Sequence, residues 1–238
     1  MQIGLLQTGH APDSLTPALG DYADMFERLL AGHGFTFSRW DVVDMDFPAD
    51  VHACDGWLLT GSRHGAYEDL PFIPPLQDFI RKVYAARVPM VGICFGHQII
   101  AQALGGTVEK FSGGWSVGAT DYVLDGQHIT LNAWHQDQVT QLPDGAQVIG
   151  GNAFCRYGAL RYGDHALTVQ PHPEFGADMI QGLITHRGQG VVPDALLNAA
   201  QERLKTPDDG LKFGAQIATF FKTSVKTNIK PSPEVQDG

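Results

Sequence analysis

Apolar positions along this chain follow two rhythms, and the change between them falls near Gly106. Before it, short apolar runs alternate with helical spacing. Gln2 to Gln7 is strand-like and leads into the loop Thr8-Gly9-His10-Ala11-Pro12-Asp13. Tyr22 to Leu30 sets Phe26, Leu29 and Leu30 on one helical face, and Gly32 and Gly34 end it. Phe35 to Val43 predicts a second strand closed by Pro48, and Asp55 to Ser62 a third that runs into a glycine turn. Pro74 to Ala86 predicts a helix opened by prolines, with Phe79, Ile80 and Val83 facing inward. The next strand ends at Ile93, and Ile99, Ile100, Ala103 and Leu104 recur at helical spacing until Gly105-Gly106. Strand alternating with helix predicts an α/β fold: an open, mostly parallel sheet flanked by helices, with right-handed crossovers.

Beyond Gly106 the pattern turns to short strands and turns. Asp121 to Leu124, the Asp125-Gly126 turn and His128 to Ala133 stand in hairpin order. Ala159 to Tyr162 and Leu167 to Gln170 return to strand, so the second half is expected to run antiparallel and then rejoin the sheet. Helices are predicted over Gly176 to His186, Asp194 to Leu204 and Leu211 to Thr223. With no internal repeat and no linker, the reading is one domain over residues 1–225 and a flexible tail over 226–238.

The composition fits that picture. The 238 residues are 43% hydrophobic and 18% charged, enough for a full core. Sixteen basic against 26 acidic residues leave a net charge of −10, which argues against nucleic acid or an anionic membrane as partner. No apolar run nears the roughly 20 residues of a membrane span, and the first residues show no signal-peptide pattern. Three cysteines, Cys54, Cys94 and Cys155, lack metal-ligand spacing and predict a reducing, cytoplasmic setting.

The chemistry concentrates at Gly92-Ile93-Cys94-Phe95-Gly96. Strand, Gly-x-Cys-x-Gly and helix form the cysteine version of a nucleophile elbow. The glycines let backbone pass close to the turn, so Cys94 can hold a strained conformation at a helix N-terminus that favours thiolate. A lone cysteine is most often buried and inert; the strand, the two glycines and the helix reverse that reading. A thiol nucleophile needs a base and an orienter. Gln170-Pro171-His172-Pro173-Glu174 supplies both, with His172 fixed between prolines and Glu174 able to reach back to the ring. His10, His64, His97 and His135 are weaker candidates for the base.

These two motifs together resemble the class I (triad-type) glutamine amidotransferases over roughly residues 1 to 190. The resemblance implies flavodoxin-like layering, a Cys94 nucleophile, His172 as acid/base and Glu174 as its orienter. It implies an oxyanion hole from the backbone N–H of Phe95 and the turn around Gly61, and substrate contacts at Gln98, Gly114 and Trp115. Trp134-His135-Gln136-Asp137 is similar to a segment of the GMP-synthetase-like branch and adds His135 to the substrate contacts. The implied reaction attacks glutamine or a γ-glutamyl amide through a γ-glutamyl thioester, with no metal and no cofactor. As a stand-alone amidase the chain is expected to pass ammonia to a separate synthase; the alternative is a self-sufficient γ-glutamyl peptide hydrolase. A Cys-type α/β-hydrolase fits poorly, because its acid precedes the histidine. A non-catalytic binding module fits poorly as well, because Cys94, His172 and Glu174 are all present.

Overall fold

The computed structural model describes residues 1–228. Its strands are β1 Gln2–Leu6, β2 Thr36–Trp40, β3 Gly56–Leu59, β4 Met90–Ile93, β5 Thr107–Lys110, β6 Ser116–Leu124, β7 Gln127–His135, β8 Asp137–Gln141, β9 Ala146–Gly151, β10 Ala159–Tyr162 and β11 Ala166–Val169. The helices are α1 Thr16–Leu19, α2 Tyr22–Leu29, α3 Ile73–Ala85, α4 Phe95–Ala103, α5 Ala177–Leu183, α6 Asp194–Glu202 and α7 Gly210–Asn228. Nine strands form one sheet in the order β2-β1-β3-β4-β11-β10-β9-β6-β7, and β5 pairs with β8 beside it. The run from β2 to β11 is parallel and the run from β11 to β7 antiparallel. The two halves meet at β11, next to β4.

Why these strands lie at the centre follows from their composition. Every residue of β3, β4 and β11 is buried, as expected for parallel strands covered on both faces. Alternation splits their side chains between two layers. Trp57, Leu59 and Met90 face α3 and α4, where Leu76, Ile80, Val83, Ile99 and Ile100 pack. Leu58, Val91 and Ile93 face α2 and α7, where Phe26, Phe213, Ile217 and Phe221 pack. Truncating one such aliphatic side chain to alanine costs about 2–5 kcal/mol. A capping box starts α2: the Asp21 carboxylate accepts from the Tyr22 N–H at 2.7 Å, and Asp24 accepts from the Asp21 N–H at 2.8 Å.

Four expectations are corrected in detail. The second strand stops at Trp40, because the Gln7 carbonyl draws in the Val43 N–H and bends Val42–Asp44 into a 3₁₀ turn. The hairpin is longer than its pattern, nine residues on each side, reaching Ser116 and His135. Its β6 strand meets β9 at only two register pairs, Val123 with Gly151 and Leu124 with Gly150. The helix beginning near Gly176 is α-helical only to Leu183 and continues as a π-helical turn over Ile184–Gly188. Helix α7 extends to Asn228, past the start of the expected tail; the rest of that tail lies outside the described residues. Among the described residues, no helix is long and apolar enough to cross a membrane.

Candidate active site

The elbow is built where β4 gives way to α4. Cys94 has φ 52° and ψ −101°, a conformation that L-residues adopt only when their surroundings enforce it. Here the packing enforces it: a Cβ on Gly92 would fall 2.6 Å from the Gly96 backbone, and one on Gly96 2.5 Å from the Leu59 carbonyl. The helix thus sits almost directly on β3 and β4, and Phe95 enters it as the first residue, whose N–H has no acceptor within the helix.

Register brings the partners in. Val169 lies opposite Ile93, so the residues after β11 stand beside Cys94, and the Cys94 N–H donates to the Val169 carbonyl at 2.9 Å. Gln170, next in line, donates from Nε2 to the Cys94 sulfur at 3.5 Å. Two residues on, the His172 N–H donates to the Asn132 carbonyl at 2.8 Å, and the Asn132 amide donates to the Phe175 carbonyl at 2.7 Å. This clamp from β7 holds the Pro171–Phe175 loop at both ends. The His172 ring lies flat on Phe175, with centroids 3.9 Å apart, and Phe175 in turn meets Tyr22.

The electrostatics of His172 follow from this enclosure. Its Nδ1–H donates to Glu174 Oε1 at 2.6 Å, and the Glu174 side chain is fully buried. Burial alone would lower the imidazole, but Glu174 and then Cys94 outweigh it and raise the group to about 10. His172 therefore carries a proton at neutral pH, next to the sulfur. His135 is the opposite case: burial, with His172 nearby, lowers it to about 3, so it is a neutral ring. Its Nδ1–H donates to the Asp137 carbonyl at 3.3 Å, leaving a buried, unpartnered Nε2 as acceptor. His97 is lowered to about 3 by burial and His135, and bonds Thr168 at 2.8 Å deep in the core. Both rings are therefore neutral near pH 7.

Cys94, His172, Gln98, Trp115 and His135 open together into a cleft of about 370 Å³, a normal size for a small-molecule site. Gly61 lies just past β3, behind the cleft lining: a Cβ there would meet His172 Cε1 at 2.7 Å and Cys94 Cβ at 3.7 Å. Thr8 anchors that turn by donating to the Thr60 and Gly61 carbonyls. Gly114 itself is not part of the cleft wall; its φ of 93° turns the chain so that Trp115 is. The Gln98 amide donates to the Asp137 carbonyl at 2.9 Å and to Gln170 Oε1 at 3.2 Å, so it braces the site from within. Among the described residues, no group of three or more His, Cys, Asp or Glu is placed to hold a metal ion.

Sequence reasoning missed Gln170, Asn132 and Arg187, which also lines the cleft. Gln170 stood inside the motif around His172, but that it faces the sulfur follows from the pairing of β11 with β4. Asn132 and Arg187 carried no signal, because their placement depends on pairing and packing between distant segments.

Residues 20–181 match the glutamine amidotransferase class-I family. The chain belongs to that family. Membership makes it a cysteine-dependent amidohydrolase. γ-Glutamyl peptidase 4 of Arabidopsis thaliana is 31% identical over 69% of this chain and 72% of its own. The glutamine-hydrolysing GMP synthase of Thermobifida fusca is 36% identical over 60% of this chain but only 26% of its own. A glutamine amidotransferase structure from Methylobacillus flagellatus shares the fold, with a TM-score of 0.73 at 23% identity over 100% of this chain and 98% of that one. The class I amidotransferase resemblance, read from two motifs, and the α/β architecture, read from alternating strand and helix patterns, are thus shown, and GMP synthases stand among the relatives.

Proposed function

We propose that this amidotransferase cleaves γ-glutamyl amide bonds through a thioester on Cys94, with His172 as acid/base and Glu174 as its orienter. The carrying observation is the Cys94–His172–Glu174 constellation on a strained elbow. The Cys94 sulfur attacks the γ-carbonyl carbon, and the negative oxygen turns toward the N–H groups of Phe95 and Gly61. One such donor is worth about 2.7–4 kcal/mol in the transition state. As the C–N bond breaks, His172 gives its proton to the leaving nitrogen. Water then adds to the thioester, His172 takes its proton, the C–S bond breaks and glutamate departs. Gln170 holds the sulfur, and the neutral His135 accepts from the substrate at Nε2.

The leaving nitrogen is either ammonia or an amino acid. Similarity to γ-glutamyl peptidases over most of the chain, and a cleft walled by Arg63, His64, Tyr67 and Arg187, favour an amino acid. The second reading, glutamine cleavage feeding a separate synthase, rests on the GMP synthase relatives. The test is glutamate release by the pure protein from glutamine, γ-glutamyl dipeptides and glutathione. Cys94→Ala is expected to abolish it, and Cys54→Ala and Cys155→Ala to retain it. Retained activity in Cys94→Ala would sink the mechanism.

A further inference from the structure

We infer, building on the γ-glutamyl reading above, that Tyr67 and Asp137 form a strap across the cleft that limits the size of group able to reach Cys94. Tyr67 is thereby a specificity-determining residue of the amidohydrolase.

The strap joins two parts of the fold that belong to different sheets. Tyr67 lies in the loop that leaves the Gly61 turn after β3, whereas Asp137 opens β8, which pairs with β5 in the small second sheet. Across this gap the Tyr67 hydroxyl donates to Asp137 Oδ1 at 3.2 Å. Both residues line the cleft together with Cys94 and His172. Cys94 itself is only 5% exposed, so what closes the cleft decides what touches the sulfur.

Each end is built for this bond. At the loop end, the Gln102 amide of α4 donates to the carbonyl of the buried Ala66 at 2.6 Å. Nearby, the His64 ring packs edge-on against Phe72, with centroids 5.9 Å apart. Gly65 makes the crossing possible: a Cβ there would fall 2.9 Å from Tyr67 Cζ and 3.2 Å from Asp137 Oδ2. The tyrosine ring thus lies over bare backbone, against which the carboxylate also closes. At the other end, the Asp137 carbonyl accepts from Gln98 Nε2 at 2.9 Å and from His135 Nδ1–H at 3.3 Å. The carboxylate is therefore carried by a residue already fixed to the site. Partial burial and then Asp137 raise the Tyr67 phenol to about 12, which keeps it a donor at neutral pH. Because Tyr67 is half-exposed, the strap can part without unpacking the core.

The test uses protein in which Cys54→Ala and Cys155→Ala leave Cys94 as the single thiol. Iodoacetamide and N-pyrenyl iodoacetamide carry the same reactive group and differ in bulk. For Tyr67→Phe, the ratio of the bulky to the small alkylation rate is expected to rise by about threefold to tenfold, the range for losing one hydrogen bond. Altered thiol reactivity acts on both reagents and cancels in the ratio. Asp137→Ala should match Tyr67→Phe, and the double variant should add nothing further, because each change removes the same bond. Gly65→Ala keeps both partners but forces them apart, and should raise the ratio as well. Asp137→Asn retains an oxygen that accepts from Tyr67, and should hold the wild-type ratio. An unchanged ratio in Tyr67→Phe, or effects of Tyr67→Phe and Asp137→Ala that simply add, would overturn the strap. In turnover, kcat/KM for γ-glutamyl-p-nitroanilide relative to glutamine should rise in Tyr67→Phe; the same ratio as wild type for two cleaved amides overturns its role in specificity. A shifted alkylation ratio with neither amide cleaved leaves the strap in place and removes the γ-glutamyl reading instead.

Discussion

The Gln170 side chain donates to the Cys94 sulfur at 3.5 Å, and its own carbonyl is held by Gln98 at 3.2 Å. A donor aimed at the sulfur fixes its position against the cleft. Gln170→Ala is expected to lower kcat/KM for γ-glutamyl hydrolysis by about tenfold to a hundredfold, the range for losing a hydrogen bond to a charged group. Gln170→Glu should be worse, because it replaces the donor with a negative charge facing the sulfur. Steady-state kinetics on both variants checks this; a Gln170→Glu enzyme as active as wild type sinks it.

The pH profile should carry the signature of His172. Its raised value means that the proton needed by the leaving nitrogen is present through neutral pH and lost as pH rises through about 10. The kcat/KM profile should therefore hold to mildly alkaline pH and fall near 10. In Glu174→Gln the main raising partner is gone, so the limb should move to lower pH. The same group contributes to stability in one direction. Its folded value lies above the unfolded 6.5, so the contribution is complete below about 6.5 and disappears as pH rises through about 10. A limb that does not move in Glu174→Gln would deny the ion pair its role.

Strain at the elbow sets a stability order. Cys94 holds φ 52° as the N-cap of α4. An N-cap already tolerates glycine better than alanine, and the positive φ widens the gap, because only glycine relaxes it. Cys94→Gly should be more stable than Cys94→Ala by about 1–2 kcal/mol. Urea denaturation of the two inactive variants measures the difference, and equal stabilities would refute enforced strain.

Gly61 tests the closeness of the site. A methyl there would sit 2.7 Å from the His172 ring, which is stacked on Phe175 and tied to Glu174, so yielding would break both contacts. Gly61→Ala is expected to lose at least about a hundredfold in kcat through displaced acid/base geometry, with circular dichroism of the folded protein retained.

What was legible in the sequence was local. Glycines at 92 and 96, the β-branched strand before them and prolines flanking His172 each force conformation within a few residues, so the elbow and the contact between His172 and Glu174 were readable. Gln170 facing sulfur depends on Val169 pairing with Ile93 across more than seventy residues. Asn132 lay within the predicted His128–Ala133 strand, but its reach to the His172 loop depends on where the hairpin docks, which the alternation does not encode. Arg187 was invisible for a different reason: periodicity ended the helix at His186, whereas packing of Gly188 against Trp134 and Leu197 carries it on as a wider turn.

The two-pair seam between β6 and β9 leaves the hairpin held less by the backbone ladder than by its side chains. It supplies Asn132, Trp134 and His135, and it is moored by the Asn132 clamp on the His172 loop, by Thr130 with Asp209 and by Tyr122, Ile129 and Leu131 in the core. With so short a ladder behind it, the hairpin is expected to open at a lower free energy than the parallel core unfolds. Amide hydrogens of β7 should exchange with deuterium before those of β4, and heating should extinguish turnover reversibly while the sheet is still intact. The enzyme then carries its own thermal cut-out, set by the attachment of one hairpin rather than by the stability of the fold.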